Sequence, residues 1–399
     1  MEPTLRNRFN EEFTEARYQA FLADLEAPFP GQLEFRVAET PVFIPKPLGQ
    51  KLVDACESII DVVVAADFDE KTKAAIPAGQ AVPNENGHTS FLAIDFAICK
   101  DDSGNLTPQL IELQGFPSIF AFQSHVSEAY RKHFTIPPDW SNYFGVTSQA
   151  EYIEVLRKVL LGGEKPEHVI LLEIYPEKQK TRADFAVTEH LTGVRAVCLT
   201  KIQKEGRQLF YDRDGVKTRI HRIYNRLIFD DLQNYPDLKT NFQFTDDVDV
   251  TWVGHPNWFF RISKYTLPFL GGPHVPESRF LDTFYGAFPE NLENYVLKPL
   301  FSFAGSGVNL HPTPDVLRAI ENPHDYLLQR KVAYEPVVLT PDGSLVKCEI
   351  RMLYVWPDGD ERPRLLTNLA RLSRGEMIGV RFNKDFTWVG GSICFFEPL

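Results

Sequence analysis

Apolar residues recur with two different periods along the chain, and the period changes with position. Near the start, Tyr18, Phe21, Leu22 and Leu25 fall at i, i+3, i+4 and i+7, and Leu48, Leu52, Ala55 and Ile59 repeat similarly, at i, i+4, i+7 and i+11. This spacing predicts amphipathic helices. Further on, FLAIDFAICK and LTPQLIELQ flank the turn DDSGN, which predicts two strands of a hairpin.

From about residue 150 the pattern becomes that of a small α/β unit. EYIEVLRKVLLG predicts a helix, HVILLEIY a buried strand, TRADFAVTEHLTG a helix and VRAVCLTK a second strand, which together form a βαβ unit. A short hairpin is predicted at Asp214-Gly215. The pattern in the last third of the chain predicts mainly strands, with helices at about 276–287 and 314–321. We therefore expect an α/β fold, more broadly α+β.

Length and charge limit the classes of function. A chain of 399 residues with 43% hydrophobic residues predicts two or three subdomains. The net charge of -12 argues against a partner that is nucleic acid or an anionic membrane. Five scattered cysteines without a CxxC pair, and no apolar stretch long enough to span a bilayer, predict a cytoplasmic protein.

The segment VLKPLFSFAGSGVNL places Lys298 at the end of an apolar strand, directly before a run of small residues. Glycines let a backbone approach phosphate oxygens, and a lysine supplies the positive charge. The order differs from the P-loop pattern, in which the lysine follows the glycines. The segment predicts either a phosphate-covering loop or an ordinary surface turn.

Three oxygen-bearing side chains lie on the predicted hairpin. Asp95 sits among small apolar neighbours, and Glu112 and Gln114 share one face of the returning strand. Carboxylate and amide oxygens on adjacent strands suit Mg²⁺. The alternative is a sheet face closed by salt bridges, because a buried carboxylate needs a partner in either case.

Arginines cluster in three later stretches. In VKCEIRMLYVW, Arg351 shares a strand face with Lys347 and Glu349, where it could stabilise a phosphoryl group in transfer. Carboxylates and phosphates also suit the arginines of HRIYNRLIF and TNLARLSRG, although a solvated charged edge is the alternative. The candidate residues there are Arg222, Arg226, Asn368, Arg371 and Arg374.

Taken in order, these segments resemble the ATP-grasp superfamily in a circularly permuted form, as in eukaryotic-type glutathione synthetases and related carboxylate–amine ligases. The metal motif IELQGFPS precedes Lys298, whereas it follows the lysines in the usual order. The resemblance implies a permuted ATP-grasp fold with an inserted small α/β substrate domain. The implied ranges are 1–150 for the N-terminal helices and metal hairpin, 151–250 for the substrate domain and 251–399 for the nucleotide-binding region.

The resemblance also implies roles for individual residues. Glu112 and Gln114 would hold Mg²⁺, with Asp95 as a further carboxylate, and Arg351, Lys298 and Arg371 would act in catalysis. Residues implied to bind ATP are Lys264, Lys298, Ser302, Gly305, Ser306, Gly307, Gln329, Lys331 and Val332. Arg222, Arg226, Asn368 and Arg374 would contact the substrate.

The chain departs from the family pattern at three positions. The metal motif reads Glu-x-Gln instead of Glu-x-Asn, Ala93 stands near the place of a family arginine, and Ser302 replaces a glutamate that follows the second lysine. Asp95 or Glu349 could compensate for the missing carboxylate.

The resulting hypothesis is an ATP- and Mg²⁺-dependent ligase that joins a small-molecule or peptide carboxylate to an amine through an acyl phosphate. One alternative is a nucleotide-binding protein of the same fold without turnover, and another is a small-molecule kinase. A homodimer is compatible with the sequence.

Overall fold

The structure is a computed structural model that describes residues 1–284, 287–302, 306–379, 383 and 385–399. Within these residues, none of the helices has the length and apolarity needed to cross a membrane. Strands and helices both contribute to the fold, which confirms the α+β class.

The helices are short to medium in length. The α-helices are α1 Pro3–Glu12, α2 Glu15–Glu26, α3 Lys46–Val63, α4 Phe68–Thr72, α5 Phe120–His133, α6 Gln149–Leu161, α7 Arg182–Thr192, α8 Phe229–Gln233, α9 Pro256–Arg261 and α10 Pro314–Arg318. Single 3-10 turns cover Lys73–Ala75, Pro166–His168, Pro176–Lys178, Leu199–Lys201, Lys264–Phe269, Leu281–Phe284, Leu292–Asn294 and Pro323–Asp325.

Among the described residues, the strands are distributed over five sheets. They are β1 Val42–Ile44, β2 Phe91–Lys100, β3 Leu106–Gln114, β4 Val169–Glu173, β5 Arg195–Cys198, β6 Gln203–Glu205, β7 Gln208–Arg213, β8 Val216–Ile220, β9 Arg222–Asn225, β10 Thr251–Val253, β11 Ser278–Phe280, β12 Tyr295–Pro299, β13 Tyr326–Arg330, β14 Pro336–Leu339, β15 Leu345–Val355, β16 Arg364–Ser373, β17 Gly390–Ser392 and β18 Cys394–Phe396.

The largest sheet is antiparallel and has the order β17-β16-β15-β2-β3, with β14 also paired to β15. Its inner strand β2 is buried along residues 91–99. This explains why nearly every residue of FLAIDFAIC is apolar. The β2–β3 hairpin is confirmed, and its register places Asp95 opposite both Glu112 and Arg351.

A second sheet is parallel and has the order β10-β9-β4-β5. Strands β4 and β5 are joined through α7, so the predicted βαβ unit is confirmed. The antiparallel sheet β6-β7-β8 follows it in the chain. Its β7–β8 turn has φ of 55° at Asp214 and 85° at Gly215, as a two-residue hairpin requires.

The third part of the fold is the antiparallel sheet β11-β13-β12, whose strand β12 carries Lys298. The predicted helix at 276–287 is wrong, because residues 278–280 form β11 and residues 281–284 form a 3-10 turn. Backbone pairing between β11 and β13 outweighs the local helical spacing. The helix predicted at 314–321 exists as the shorter α10.

The first and last parts of the chain fold together. Strands β2 and β3 from the first 150 residues pair directly with β15 in the large sheet, and β1 pairs in parallel with β18. Helices α1, α2, α3 and α5 contribute buried side chains to the same hydrophobic core as β2 and β15. The large sheet therefore positions side chains that lie far apart in sequence.

Candidate functional site

A buried ionic cluster lies at the middle of the large sheet, around Asp95. The carboxylate of Asp95 accepts hydrogen bonds from Arg351 Nε and Nη2, both at 2.6 Å, and from Arg371 Nη2 at 2.5 Å. Arg351 Nη1 also donates to Ser118 Oγ at 3.1 Å. The register of β2, β15 and β16 brings these residues together across three strands. Asp95 is thus paired as the salt-bridge alternative predicts.

Glu349 extends the cluster toward the connection that follows β13. One oxygen of Glu349 accepts from Arg371, and the other accepts from Tyr334 Oη at 2.5 Å. Burial raises the pKa of Glu349. Arg371 acts to lower this pKa, but the negative charge of Asp95 adds to the effect of burial, and the pKa remains raised. Burial also acts to raise the pKa of Asp95, but Arg351 and Arg371 outweigh it and the pKa is lowered.

Lys298 lies beside this cluster on β12, where it is 7% exposed. Between Asp95 and Phe96 the β2–β3 register shifts, so Ile111 is an extra residue in β3. Lys298 Nζ donates to the Ile111 carbonyl oxygen at 2.9 Å. Burial lowers the pKa of Lys298 to about 8, although Glu112 opposes the shift. A buried ammonium with one carbonyl partner is a prepared site for an anion.

Lys264 approaches the same place from the segment after α9. Gly115 permits this approach, because a Cβ there would lie 2.7 Å from the Trp258 carbonyl oxygen. Lys264 Nζ donates to the Ser302 carbonyl oxygen at 2.6 Å. Burial lowers the pKa of Lys264, and Glu112 again opposes the shift. Both lysines therefore lie within the electrostatic influence of one carboxylate.

Glu112 and Gln114 are the pair proposed from the sequence for a metal. Gln114 Nε2 donates to Glu112 Oε1 at 2.9 Å, so both side chains point to the same side of β3. In the part of the chain that the structure describes, no three His, Cys, Asp or Glu side chains are placed to hold a metal. Two oxygens remain compatible with Mg²⁺ if phosphates and water complete its six ligands.

The predicted phosphate loop is described in part. Ser302 lies against Lys264, Ser306 and Gly307 are exposed, and Gly305 lies outside the described residues. Gly307 has φ of 70°, and a Cβ there would meet Pro299 at 2.8 Å. The turn therefore requires glycine at this position.

The predicted adenine contacts lie at the end of β13 and beyond it. Gln329 is 1% exposed, and its Nε2 has no hydrogen-bond partner among the described residues. Lys331 Nζ donates to the Glu293 carbonyl oxygen at 2.6 Å, and Val332 is partly buried. A buried amide without a partner is a candidate donor to a ligand.

The small parallel sheet places two predicted substrate residues in internal contacts. Arg222 donates to the carbonyl oxygens of Leu160 and Val159, both at 3.2 Å, and so caps α6. Arg226 Nη1 donates to Asp184 Oδ2 at 2.7 Å, and the Asp184 side chain is 0% exposed. Neither arginine is hydrogen-bonded to the cluster around Asp95 within the described part of the chain.

Two further predicted substrate residues also have local partners. Asn368 donates to the Asn142 and Cys394 carbonyl oxygens at 3.3 and 3.0 Å and accepts from Cys394 N. Asn368 and Arg371 are three residues apart on β16. Because successive side chains of a strand point to opposite faces, the two lie on opposite faces of the sheet. Arg374 forms an ion pair with Asp342 at 3.3 Å.

Sequence reasoning missed Tyr334, Ser118 and Asp184. Tyr334 lies beyond the end of β13, and no motif marks it as the partner of Glu349. Asp184 is on α7 and meets Arg226 only through the packing of that helix on the parallel sheet. Their roles depend on tertiary contacts, for which the local pattern carries no signal.

The chain matches no protein-family model and no curated protein sequence. Its fold is similar to that of a glutathione synthetase-like effector from Globodera pallida, solved in the apo form, with a TM-score of 0.59. The two are 12% identical, and the match covers 100% of this chain and 99% of that chain. The chain therefore has a glutathione synthetase-like fold.

Proposed function

We propose that the protein is an ATP-dependent carboxylate–amine ligase of the ATP-grasp type. The observation that carries the proposal is that buried Lys298 binds the carbonyl oxygen of Ile111, next to Glu112, while Lys264 holds Ser302 four residues after Lys298, beside the arginines that surround Asp95. In a glutathione synthetase-like fold, two buried ammonium groups next to a carboxylate–amide pair suit a triphosphate with its metal.

In this proposal, Lys264 and Lys298 hold phosphate oxygens of ATP. Glu112 and Gln114 would hold Mg²⁺, which when bound neutralises charge on the phosphates. Arg351 and Arg371 lie where they could stabilise the phosphoryl group as it passes to a substrate carboxylate with release of ADP. An amine then attacks the acyl phosphate, an amide forms, and inorganic phosphate leaves.

We further propose that the element order is circularly permuted relative to the usual ATP-grasp arrangement. Glu112 precedes Lys298 by 186 residues (298 minus 112). The Lys298 ammonium nevertheless binds the Ile111 carbonyl in the same strand as Glu112. This contact supports the proposal of one site built from motifs in the reversed order.

Nucleotide binding is tested by thermal unfolding with and without Mg²⁺·ATP, since a ligand that binds only the native state raises its stability. We expect a metal-dependent rise in Tm for the wild type and its loss in Lys298→Met, which keeps the volume and removes the charge. Lys201→Met is the matched control because Lys201 is exposed and lies outside the cluster. No shift in the wild type at millimolar ATP would refute the proposal.

Turnover is tested by ADP release with panels of carboxylates and amines. A ligase releases ADP only when both substrates are present, whereas phosphorylation without an amine would indicate a kinase. Arg371→Gln should abolish release while the Tm shift with Mg²⁺·ATP remains.

A second candidate is a nucleotide-binding protein without ligase turnover. The observation that favours it is that Asp95 and Glu349 occupy both arginines, with Gln114 and Ser302 in place of the family residues. It predicts a Tm shift with ATP and no amine-dependent ADP release from any substrate pair.

A further inference from the structure

A separate cavity of about 430 Å³ lies at the amino-terminal ends of β9 and β10, on the small parallel sheet. Its wall includes Arg207, Arg219, His221, Asn84 and Thr251. None of the residues that line it belongs to the cluster around Asp95. Its volume is sufficient for a small metabolite.

Arg219 is the unusual member of this wall. Its Nε is buried, and the guanidinium has no hydrogen bond or ion pair within the described part of the chain. Arg213, on the same hairpin, donates to Tyr211 Oη at 3.0 Å. A guanidinium has five donors in a planar fork, and a buried donor without a partner is costly. Arg219 is therefore available to a ligand.

Arg207 is held in a fixed orientation beside the cavity. Its Nε donates to Asp249 Oδ1 at 2.8 Å, and its Nη1 donates to Asp247. Asn84 Nδ2 donates to Asp247 as well, at 2.8 Å, which fixes that carboxylate in turn. Arg207 Nη2 forms no hydrogen bond to the residues described here. A guanidinium fixed on one side presents its free nitrogen with little loss of conformational entropy.

His221 supplies a third nitrogen to the cavity wall. Its Nδ1 lies 2.9 Å from Glu164 Oε2, and its ring stacks on His168 with centroids 4.4 Å apart. These contacts fix the ring, and Nε2 is left without a partner among the described residues. The wall therefore combines two guanidinium groups and an imidazole that come from different elements.

We propose that this cavity binds a phosphate group, either as inorganic phosphate or as the phosphate of a small phosphorylated metabolite. A tetrahedral oxyanion can accept hydrogen bonds from Arg207, Arg219 and His221 at once, whereas a planar carboxylate has two oxygens to offer. Asp247 and Asp249, the latter also in the cavity wall, share the single charge of Arg207, and the unpaired Arg219 offsets the negative charge that is left. The cavity would therefore hold phosphate through its directed N–H donors and not through an excess of positive charge. This site is independent of the proposed ligase activity.

The test is calorimetric titration of the full chain with inorganic phosphate, in chloride buffer at constant ionic strength. Lys298→Met removes the charge of the proposed nucleotide site, so the phosphate binding that this variant retains is assigned to the cavity, and the cavity variants are made in this background. Arg219→Gln should bind about tenfold more weakly or worse, the cost of losing charge-assisted hydrogen bonds. Arg213→Gln is the matched control and should bind normally.

Glycerol phosphate in place of inorganic phosphate distinguishes the two sources of the group. Tighter binding of the ester identifies a phosphorylated metabolite, and tighter binding of inorganic phosphate identifies the free ion. Acetate that binds as well as phosphate overturns the assignment, as does wild-type affinity in Arg219→Gln or affinity lost only in Lys298→Met. Arg219→Lys retains the charge and should recover part of the affinity, which separates the effect from misfolding.

Discussion

Two pairs of arginines, one at each main sheet, differ in the exposure of one member, because Arg351 and Arg222 are about equally buried, at 10% and 9% exposure. Arg371 on the large sheet bonds Asp95 and Glu349 and keeps 34% of its side chain exposed. Arg226 on the small sheet bonds Asp184 and keeps 6%. Both have carboxylate partners. Exposure and neighbouring lysines, rather than the presence of an ion pair, therefore separate Arg371 from Arg226.

The surroundings of each pair support the same distinction. Arg351 lies close to Glu112, at 3.9 Å, and the lysines of the site are within the electrostatic influence of that carboxylate. Arg222 instead caps α6. The large-sheet pair thus has the surroundings that the proposed nucleotide site requires, whereas the small-sheet pair supports a helix and a buried carboxylate.

The largest expected effect is that of Asp184→Asn, which leaves Arg226 as a buried charge without a carboxylate. We expect a loss of about 3–5 kcal/mol in the free energy of unfolding, measured with urea, and an unchanged Tm shift with Mg²⁺·ATP. The double variant with Arg226→Met should recover much of the loss. A folded Asp184→Asn protein that no longer binds ATP would place Arg226 in the site.

The matched change on the large sheet is Asp95→Asn, and its effect should be smaller and depend on nucleotide. We expect a loss of about 2–3 kcal/mol without ligand, because part of Arg371 can be solvated. Phosphates can replace the missing carboxylate, so Mg²⁺·ATP should raise the Tm of this variant by more than that of the wild type. An equal or smaller rise would indicate that the arginines do not face the nucleotide.

The smallest expected effect is the pH dependence that Lys298 gives to stability and to ATP binding. The folded pKa of Lys298, about 8, lies below its usual 10.5. Between these values the unfolded chain holds the proton and the folded chain does not, so this contribution to stability rises with pH. ATP affinity should fall above pH 8, by about tenfold per pH unit at most. Lys298→Met should remove this dependence, and an identical profile in that variant would contradict the assignment.

The fold could be predicted from sequence where one period persists over a whole element. Two strand-like runs on either side of the turn DDSGN predict the β2–β3 hairpin, and a buried strand, a helix and a second strand predict the βαβ unit. The helix expected at 276–287 failed because pairing with β13 decides the structure of residues 278–280. The spacing of apolar residues within a segment carries no information about a partner strand that lies about fifty residues later in the chain.

The sequence identifies residues of the candidate site but not the contacts between them, because those contacts depend on strand register. Asp95 was recognised as a buried carboxylate that needs a partner, but its pairing with Arg351 follows from which strands lie adjacent in the sheet. Asn368 and Arg371 were grouped by sequence proximity, although three residues on a strand place them on opposite faces. Tyr334 carried no signal at all.

The position of β2 between β3 and β15 has a consequence for biosynthesis. Asp95 and its partner Arg351 are 256 residues apart, so a ribosome presents the apolar β2–β3 hairpin long before its other neighbour has been made. During that interval, one edge of β2 has unpaired backbone groups and an unpaired carboxylate. Nascent chains of this protein should therefore depend on chaperones until β15 emerges, and synthesis at low temperature should improve the yield of folded protein.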